Sequence, residues 1–165
     1  MCIRDRLVAY VKTNKTIKGF EGGSSIDNKT LLALDVDVLA PCALDSVITE
    51  DNVDEIRADI IVEGANGPTT INAGKILYEK GKIVAPDILA NGGGVVVSYF
   101  EWVQDISWLF WQEGEVRQKL KTIMHRSFDA VWDFSKEKDV NKRDSAMAVS
   151  LKRLERSMKL RGQAW

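Results

Sequence analysis

Three short apolar runs in this chain each stop abruptly at turn-forming residues. They occupy residues 36–40, 58–63 and 83–85, and each is followed directly by proline or glycine. The intervals between the runs carry helical spacing of apolar residues, so the pattern predicts strand–helix units that build a parallel α/β sheet. In such sheets ligands bind beyond the carboxyl ends of the strands. We therefore expect a binding site where these three runs end.

Weaker local signals place the remaining elements of the N-terminal half. Residues 7–14 have the spacing of an amphipathic helix, and residues 16–20 are typical of a short strand. Asp27 or Ser25, and Thr70 further along, are expected to cap helices. Each of these side chains can accept a hydrogen bond from a backbone amide that the helix leaves free.

Helical spacing dominates from Val95 onward. Apolar residues recur there three and four positions apart, which predicts two helices that each bury one face. Trp102, Trp108 and Trp111 are expected to cover a contact between domains or subunits. The two predicted buried faces comprise Val116, Leu120, Ile123, Met124, Phe128 and Val131, and then Met147, Leu151, Leu154 and Met158.

Composition limits the classes of function. The 165 residues, of which 45% are apolar, support one domain with a real core. The 23 basic and 24 acidic residues nearly cancel, so neither nucleic acid nor an anionic membrane is the expected partner. No apolar stretch approaches the length of a membrane span. Cys2 and Cys42 lie far apart and form no metal-type or redox pair, which favours a reducing, cytoplasmic compartment.

Residues 1–6 lead into the helical pattern at 7–14 without a capping residue or a turn. Two interpretations stay open for this segment. It is either foreign sequence joined to a truncated gene or a native N-terminus that frays.

Two asparagines at the expected strand ends are candidate binding residues. Asn66 follows the second run and is flanked by glycines, which let a ligand approach the backbone, and its amide both donates and accepts. A turn that uses Asn and Gly only for their backbone geometry is the alternative, which the position at a strand end disfavours. Asn91 precedes Gly92–Gly94, an arrangement that resembles an anion or amide cradle at a helix N-terminus. Ser98 is expected in the first turn of that helix, where it could address a carboxylate.

The same region offers no evident catalytic group. Asp87 and Glu101 are acid–base candidates only through their proximity to the glycine run, and no lysine lies among these motifs. Cys42 is better explained as a small residue against a ligand than as a reactive thiol. No complete Gly-x-Gly-x-x-Gly phosphate-binding fingerprint opens a strand–helix unit. The residues therefore predict a binding surface without a catalytic centre.

Four segments of the chain form distinctive motifs. They are EGANGPTT at 63–70, PDILAN at 86–91, GGV at 93–95 with VSYFEW at 97–102, and MKLRG at 158–162. These segments closely resemble the glutamate dehydrogenase family. The resemblance covers roughly residues 7–162, and its two central motifs are highly specific. The related leucine, phenylalanine and valine dehydrogenases share the fold, and the GPTT sequence at 67–70 favours glutamate over their substrates.

The resemblance implies a division of the chain and a role for each candidate residue. Residues 7–94 correspond to the second half of a Rossmann-like cofactor domain, and residues 95–165 to the C-terminal helices that pack on it and on the interdomain hinge. The phosphate loop, the ribose-binding acidic residue and the catalytic lysine and aspartate lie upstream in the family. Among the residues carried over, Cys42 and Ala43 line the cofactor ribose, Asn66 and Asn91 approach the nicotinamide, and Ser98 holds a substrate carboxylate.

The family reaction is the reversible conversion of L-glutamate to 2-oxoglutarate and ammonia with NAD or NADP. The resemblance also implies a homo-hexamer without the antenna insertion of animal enzymes. The sequence departs from the family pattern at several positions. Cys42 stands where alanine is frequent, Ile71 replaces a frequent proline, Gly92 replaces alanine, and RDSAM at 143–147 replaces the usual RTAAY. A stand-alone, non-catalytic module that binds a nucleotide or metabolite is the alternative function, as is another amino-acid dehydrogenase of the same family.

Overall fold

The computed structural model describes residues 2–162. Met1 of the segment 1–6 and residues 163–165 of the expected C-terminal segment lie outside the described residues. The strands are β1 (Val38–Leu39), β2 (Ile60–Val62) and β3 (Ile83–Ala85). The helices are α1 (Ile3–Asn14), α2 (Asn28–Leu32), α3 (Ile71–Glu79), α4 (Asp87–Ala90), α5 (Gly93–Ser107), α6 (Glu113–Lys138) and α7 (Lys142–Leu160).

The three strands form one parallel sheet in the order β1-β2-β3. Ile60 of the central strand pairs with Val38 on one side and with Ile83 on the other. The apolar runs at 36–40, 58–63 and 83–85 are thus confirmed as parallel strands, each no longer than its run. Because the strands are parallel, their carboxyl ends lie at the same edge of the sheet.

The main apolar core lies where α3 packs on the sheet. Thr70 caps this helix by accepting a hydrogen bond from the Ala73 backbone at 3.3 Å, as the sequence predicts. Gly81 follows the helix at a φ of +73°, a conformation that glycine adopts without strain. The buried members of this core are Ile48, Val53, Ile56, Ala58, Ile61, Ala73 and Leu77.

The predicted strand at 16–20 is wrong. The segment is a turn, in which the Phe20 backbone donates to the Ile17 carbonyl and Gly19 has a φ of +84°. The Tyr10 hydroxyl donates to the Lys18 carbonyl at 2.9 Å, and the Tyr10 and Phe20 rings meet edge to face. Local contacts with α1 therefore replace the sheet pairing that a strand needs.

The local helix signals agree better with the structure than the strand signal at 16–20 does. Of the two alternative caps for α2, Asp27 and Ser25, the structure confirms Asp27, which accepts a hydrogen bond from the Thr30 backbone at 2.7 Å. The first helix begins at Ile3, four residues before the predicted start. The Asp5 carboxylate accepts from the Cys2 backbone there and supplies a start signal that the sequence pattern did not reveal.

The predicted burial of one α7 face is wrong for most of its residues. Met147 is 48% exposed, and Leu151 and Leu154 are each 59% exposed. The helix instead buries Ala146 in a small cluster with Leu89 and Val131. Periodic spacing specifies an apolar stripe on a helix, but it does not specify which element covers that stripe.

A second uncovered apolar surface lies on α5 and the segment that follows it. Trp108 is 83% exposed and Phe110 is 74% exposed. Single exposed apolar residues are common on protein surfaces, whereas a group of them indicates an interaction surface. We call this surface the α5 patch. Its members are Val95, Tyr99, Trp102, Ile106, Trp108, Leu109 and Phe110.

Among residues 2–162, no helix combines the length and the apolar character that crossing a bilayer requires.

The purified chain should self-associate through the α5 patch as its concentration rises, because exposed apolar area on this scale favours contact. Analytical ultracentrifugation of the chain and of a Trp108→Glu/Phe110→Glu variant tests this. The variant should associate less, whereas Ile71→Glu, which removes a 73% exposed apolar residue outside the patch, should not. A wild-type chain that stays monomeric and melts reversibly would contradict the prediction.

Candidate functional site

The loops that follow β1 and β2 enclose an open cleft at the carboxyl edge of the sheet. Ala43 lines this cleft from the first loop, together with Leu44 and Asp45, and Asn66 lines it from the second with Gly64 and Ala65. The two loops are tied together because the Gly64 and Ala65 amides both donate to the Pro41 carbonyl, at 3.0 and 2.9 Å. Residues predicted to bind therefore do meet at the strand ends.

Asn66 and Asn91 form a direct amide pair beside this cleft. Nδ2 of Asn91 donates to Oδ1 of Asn66 at 2.8 Å and lies 3.3 Å from the Gly64 carbonyl oxygen. Within residues 2–162, Nδ2 of Asn66 and Oδ1 of Asn91 have no hydrogen-bond partner. The pair thus presents one donor and one acceptor, which is the complement of a ligand carboxamide.

Cys42 packs tightly against the backbone of Gly64. A Cβ atom at Gly64 would stand 2.6 Å from Sγ of Cys42, so no larger residue fits at position 64 unless the thiol moves. Cys42 is exposed and forms no disulfide. It lies next to Ala43 at the end of β1, which is where a small residue against a ligand is expected.

Ser98 lies one turn further into its helix than predicted. Helix α5 begins at Gly93, so Ser98 falls in the second turn, and its Oγ donates to the Gly94 carbonyl at 3.2 Å. The predicted cradle of free amides is also wrong in part. The Asn91, Gly94 and Val96 amides donate to carbonyls one helical turn back, because α4 and α5 are joined by a turn with nearly helical backbone angles. The carboxylate-binding role of Ser98 stays a prediction.

Glu63, Asp87 and Arg143 form an ion cluster that is hydrogen-bonded to the loop carrying Asn66. Glu63, the residue after β2, is fully buried, and its Oε2 accepts from the Asp87 backbone at 2.8 Å. Arg143 in the first turn of α7 donates through Nη2 to Oε2 of Glu63 and through Nη1 to Oδ1 of Asp87 at 2.7 Å. Oδ2 of Asp87 accepts from the Gly67 backbone at 2.7 Å. One guanidinium therefore bridges the ends of two strands.

The surroundings of Asp87 and Arg143 shift the pKa of each toward its charged form. Burial raises the pKa of Asp87, but the hydrogen bonds from the Gly67 and Ile88 amides and from Arg143 outweigh it, so the pKa is lowered. Burial lowers the pKa of Arg143, but the Glu63 charge and the Asp87 contact outweigh it, so the pKa is raised. Because both oxygens of Asp87 are occupied, this residue is poorly suited to move a proton.

The sequence signals did not identify Glu63 and Arg143 as functional residues. Glu63 was only the first letter of a motif, and Arg143 only the start of a departure from a family pattern. The two residues lie 80 positions apart in the sequence. The local sign of an ion-pair partner is that Glu63, a charged residue, directly follows an apolar run. Glu101, the other acid–base candidate, is exposed on α5.

Comparisons with known proteins show which family the chain belongs to. The family model described as Glutamate/Leucine/Phenylalanine/Valine dehydrogenase matches residues 3–162. The chain is 47% identical over 148 residues to the NADP(+)-dependent glutamate dehydrogenase of Pyrobaculum calidifontis, a match that covers 89% of the chain and 35% of that protein. It is 48% identical over 159 residues to the NADP-specific glutamate dehydrogenase of Synechocystis, covering 96% of the chain and 37% of that protein.

Solved structures show the same partial coverage. The glutamate dehydrogenase of Peptoniphilus asaccharolyticus has a TM-score of 0.80 and 35% identity, over 99% of this chain and 36% of that one. The hetero-hexameric glutamate dehydrogenase of Thermus thermophilus, in its leucine-bound form, has a TM-score of 0.86 and 29% identity, over 97% of this chain and 38% of that one. The α/β fold class is confirmed, and the chain spans little more than a third of these relatives.

Proposed function

Because this chain belongs to the Glutamate/Leucine/Phenylalanine/Valine dehydrogenase family, we propose that it is the C-terminal part of a glutamate dehydrogenase. The whole enzyme would interconvert L-glutamate and 2-oxoglutarate plus ammonia with NAD or NADP. The observation that carries the proposal is the amide pair of Asn66 and Asn91 at the carboxyl edge of the sheet. Two relatives at 47% and 48% identity are glutamate dehydrogenases, which favours glutamate over the other family substrates.

The candidate residues suit the nicotinamide end of such a cofactor. Nδ2 of Asn66 and Oδ1 of Asn91 offer a donor and an acceptor to a carboxamide, and Ala43 and Cys42 leave room for a ribose at the end of β1. When bound, the cofactor supplies the hydride acceptor of the oxidation. The part of these residues is to hold that acceptor in one orientation, since hydride transfer depends steeply on alignment.

Ser98 is proposed to hold a substrate carboxylate. Its hydroxyl would exchange the Gly94 carbonyl for the charged ligand, and a hydrogen bond to a charged group is stronger than one to a neutral carbonyl. The groups that move protons would come from the part of the enzyme that precedes this chain. Residues 7–94 would complete its cofactor domain, and residues 95–165 would pack on that domain and on the hinge.

The assembled enzyme is proposed to be a cytoplasmic homo-hexamer. The α5 patch and the uncovered face of α7 supply apolar area for contacts with the rest of the enzyme or with other subunits. The structural relative from Thermus thermophilus is described as hetero-hexameric, which supports six subunits. Cys2 and Cys42 are both free thiols, which is typical of proteins in a reducing compartment.

A graft of residues 7–162 into the NADP-specific glutamate dehydrogenase of Synechocystis tests these roles. Ser98→Ala should raise the KM for 2-oxoglutarate about tenfold, since a charge-assisted hydrogen bond is worth ~1.5–3 kcal/mol. Asn91→Ala should instead lower kcat, because the hydride donor and acceptor lose alignment.

Ser107→Ala is the matched control for Ser98→Ala, because Ser107 lies on the same helix and also donates its hydroxyl to a carbonyl one turn back. It should leave both constants unchanged. A folded Ser98→Ala graft with an unaltered KM for 2-oxoglutarate would reduce Ser98 to an ordinary helix residue.

A further inference from the structure

Arg143 connects the last helix of the chain to both loops that carry the candidate amides. It is the second residue of α7, and 31% of its side-chain surface is exposed. Nη1 contacts Asp87 at 2.7 Å, and Nη2 contacts the fully buried Glu63. The two carboxylates come from different strand ends, so the guanidinium fixes those ends relative to each other.

Asp87 links this bridge to both asparagines, and Glu63 in turn holds Asp87. Oδ2 of Asp87 holds the Gly67 amide at 2.7 Å, and Gly67 directly follows Asn66. The Asp87 carbonyl accepts from the Asn91 backbone at 3.0 Å and so sets the end of α4 where Asn91 lies. Glu63 holds the Asp87 amide at 2.8 Å. Every link from Arg143 to the amide pair is thus a hydrogen bond or a peptide bond.

We propose that Arg143 is a positioning residue, which sets the distance and orientation between Asn66 and Asn91 through Asp87 and Glu63. The proposal rests on the proposed function, because that geometry affects catalysis only if the two amides hold the nicotinamide cofactor. Arg143 itself does not line the cleft, and its guanidinium donates to Glu63 and Asp87.

The chemistry of this cluster requires arginine. A planar guanidinium presents several N–H donors in a rigid fork and can bind two carboxylates at once, whereas a lysine ammonium is a single point charge. Lysine at position 143 would keep the charge that balances Glu63 but would lose the fixed bridge to Asp87. Charge and geometry can therefore be separated by substitution.

The test uses the complete enzyme that carries this segment, with L-glutamate and NADP as substrates. Arg143→Lys should lower kcat about tenfold, since small misplacements of reacting groups cost this much or more. The KM for glutamate should stay nearly unchanged. The kinetic isotope effect with 2-deuterated glutamate should rise, because misalignment slows the hydride step and makes it more fully rate-limiting. Lys159→Met, which removes an exposed cation from the same helix, is the control and should alter none of these values.

A second variant keeps the test decisive if Arg143→Lys fails to fold. Arg143→Met combined with Glu63→Gln removes both charges of the fully buried part of the cluster, while Asp87 stays partly exposed and keeps the Gly67 and Ile88 amides as hydrogen-bond donors. This variant should show the same loss of kcat and the same rise in the isotope effect. A lower melting temperature with unchanged kcat and isotope effect would overturn the positioning role. A complete wild-type enzyme that does not oxidise glutamate would instead refute the proposed function.

Discussion

The 165-residue chain alone should show no measurable glutamate-dependent reduction of NAD or NADP. Its amide pair is proposed to orient a ligand, but binding groups cannot transfer the protons that oxidative deamination requires. Asp87 is held by three hydrogen-bond donors and has a lowered pKa, so it is no substitute for the missing acid–base groups. The absorbance of the reduced cofactor at saturating glutamate is the measurement.

The graft of residues 7–162 into a complete enzyme is the positive control for this experiment. Activity in the graft together with none in the isolated chain would support the proposal that this chain supplies binding groups and that the preceding part of the enzyme supplies the groups that move protons. Turnover by the isolated chain would show that the catalytic groups lie within these 165 residues and that the proposed roles are wrong.

Arg143→Met should strongly destabilise the chain. Glu63 is fully buried, and removing one partner from a buried ion pair costs about 3–5 kcal/mol because the remaining charge is uncompensated. Adding Glu63→Gln should recover most of the loss. Urea unfolding followed by tryptophan fluorescence, at concentrations low enough to avoid association, gives the free energies of unfolding.

Acid should weaken the same cluster. The pKa of folded Asp87 lies below its ordinary value of 3.8, so its stabilising contribution is complete above that pH and is lost as the pH falls through the lowered value. Arg143→Met should reduce this dependence, because it removes one of the contacts that lower the pKa. An Arg143→Met chain as stable as wild type, with the same acid profile, would contradict the arrangement of the cluster.

The sheet could be predicted because its signals are local. Parallel strands are typically short continuous apolar runs, and each run here is followed by a proline or glycine, which marks where the strand stops to within one or two residues. The strand predicted at 16–20 failed for the complementary reason. A strand needs a partner, and the turn around Gly19, held by the Tyr10 hydroxyl, provides an alternative that no periodicity reveals.

Only part of the candidate site could be predicted from the sequence. Asn66 and Asn91 could be found because motifs and strand ends are read directly along the chain, and the structure brings the two side chains within 2.8 Å. The Glu63–Arg143 pair could not, since its members lie 80 positions apart and only tertiary folding joins them. The Ser98 error arose from helix bounds. A glycine run indicated a loop, whereas the backbone there is already helical.

The activity of the full-length product of this gene shows whether the segment belongs to a glutamate dehydrogenase. The assay is glutamate-dependent reduction of NAD or NADP by that purified protein, with leucine, phenylalanine and valine as alternative substrates. We predict activity with glutamate well above that with the other three amino acids. A folded product that binds a nucleotide yet oxidises none of the four, or that prefers another amino acid to glutamate, would show that the parent protein is not a glutamate dehydrogenase.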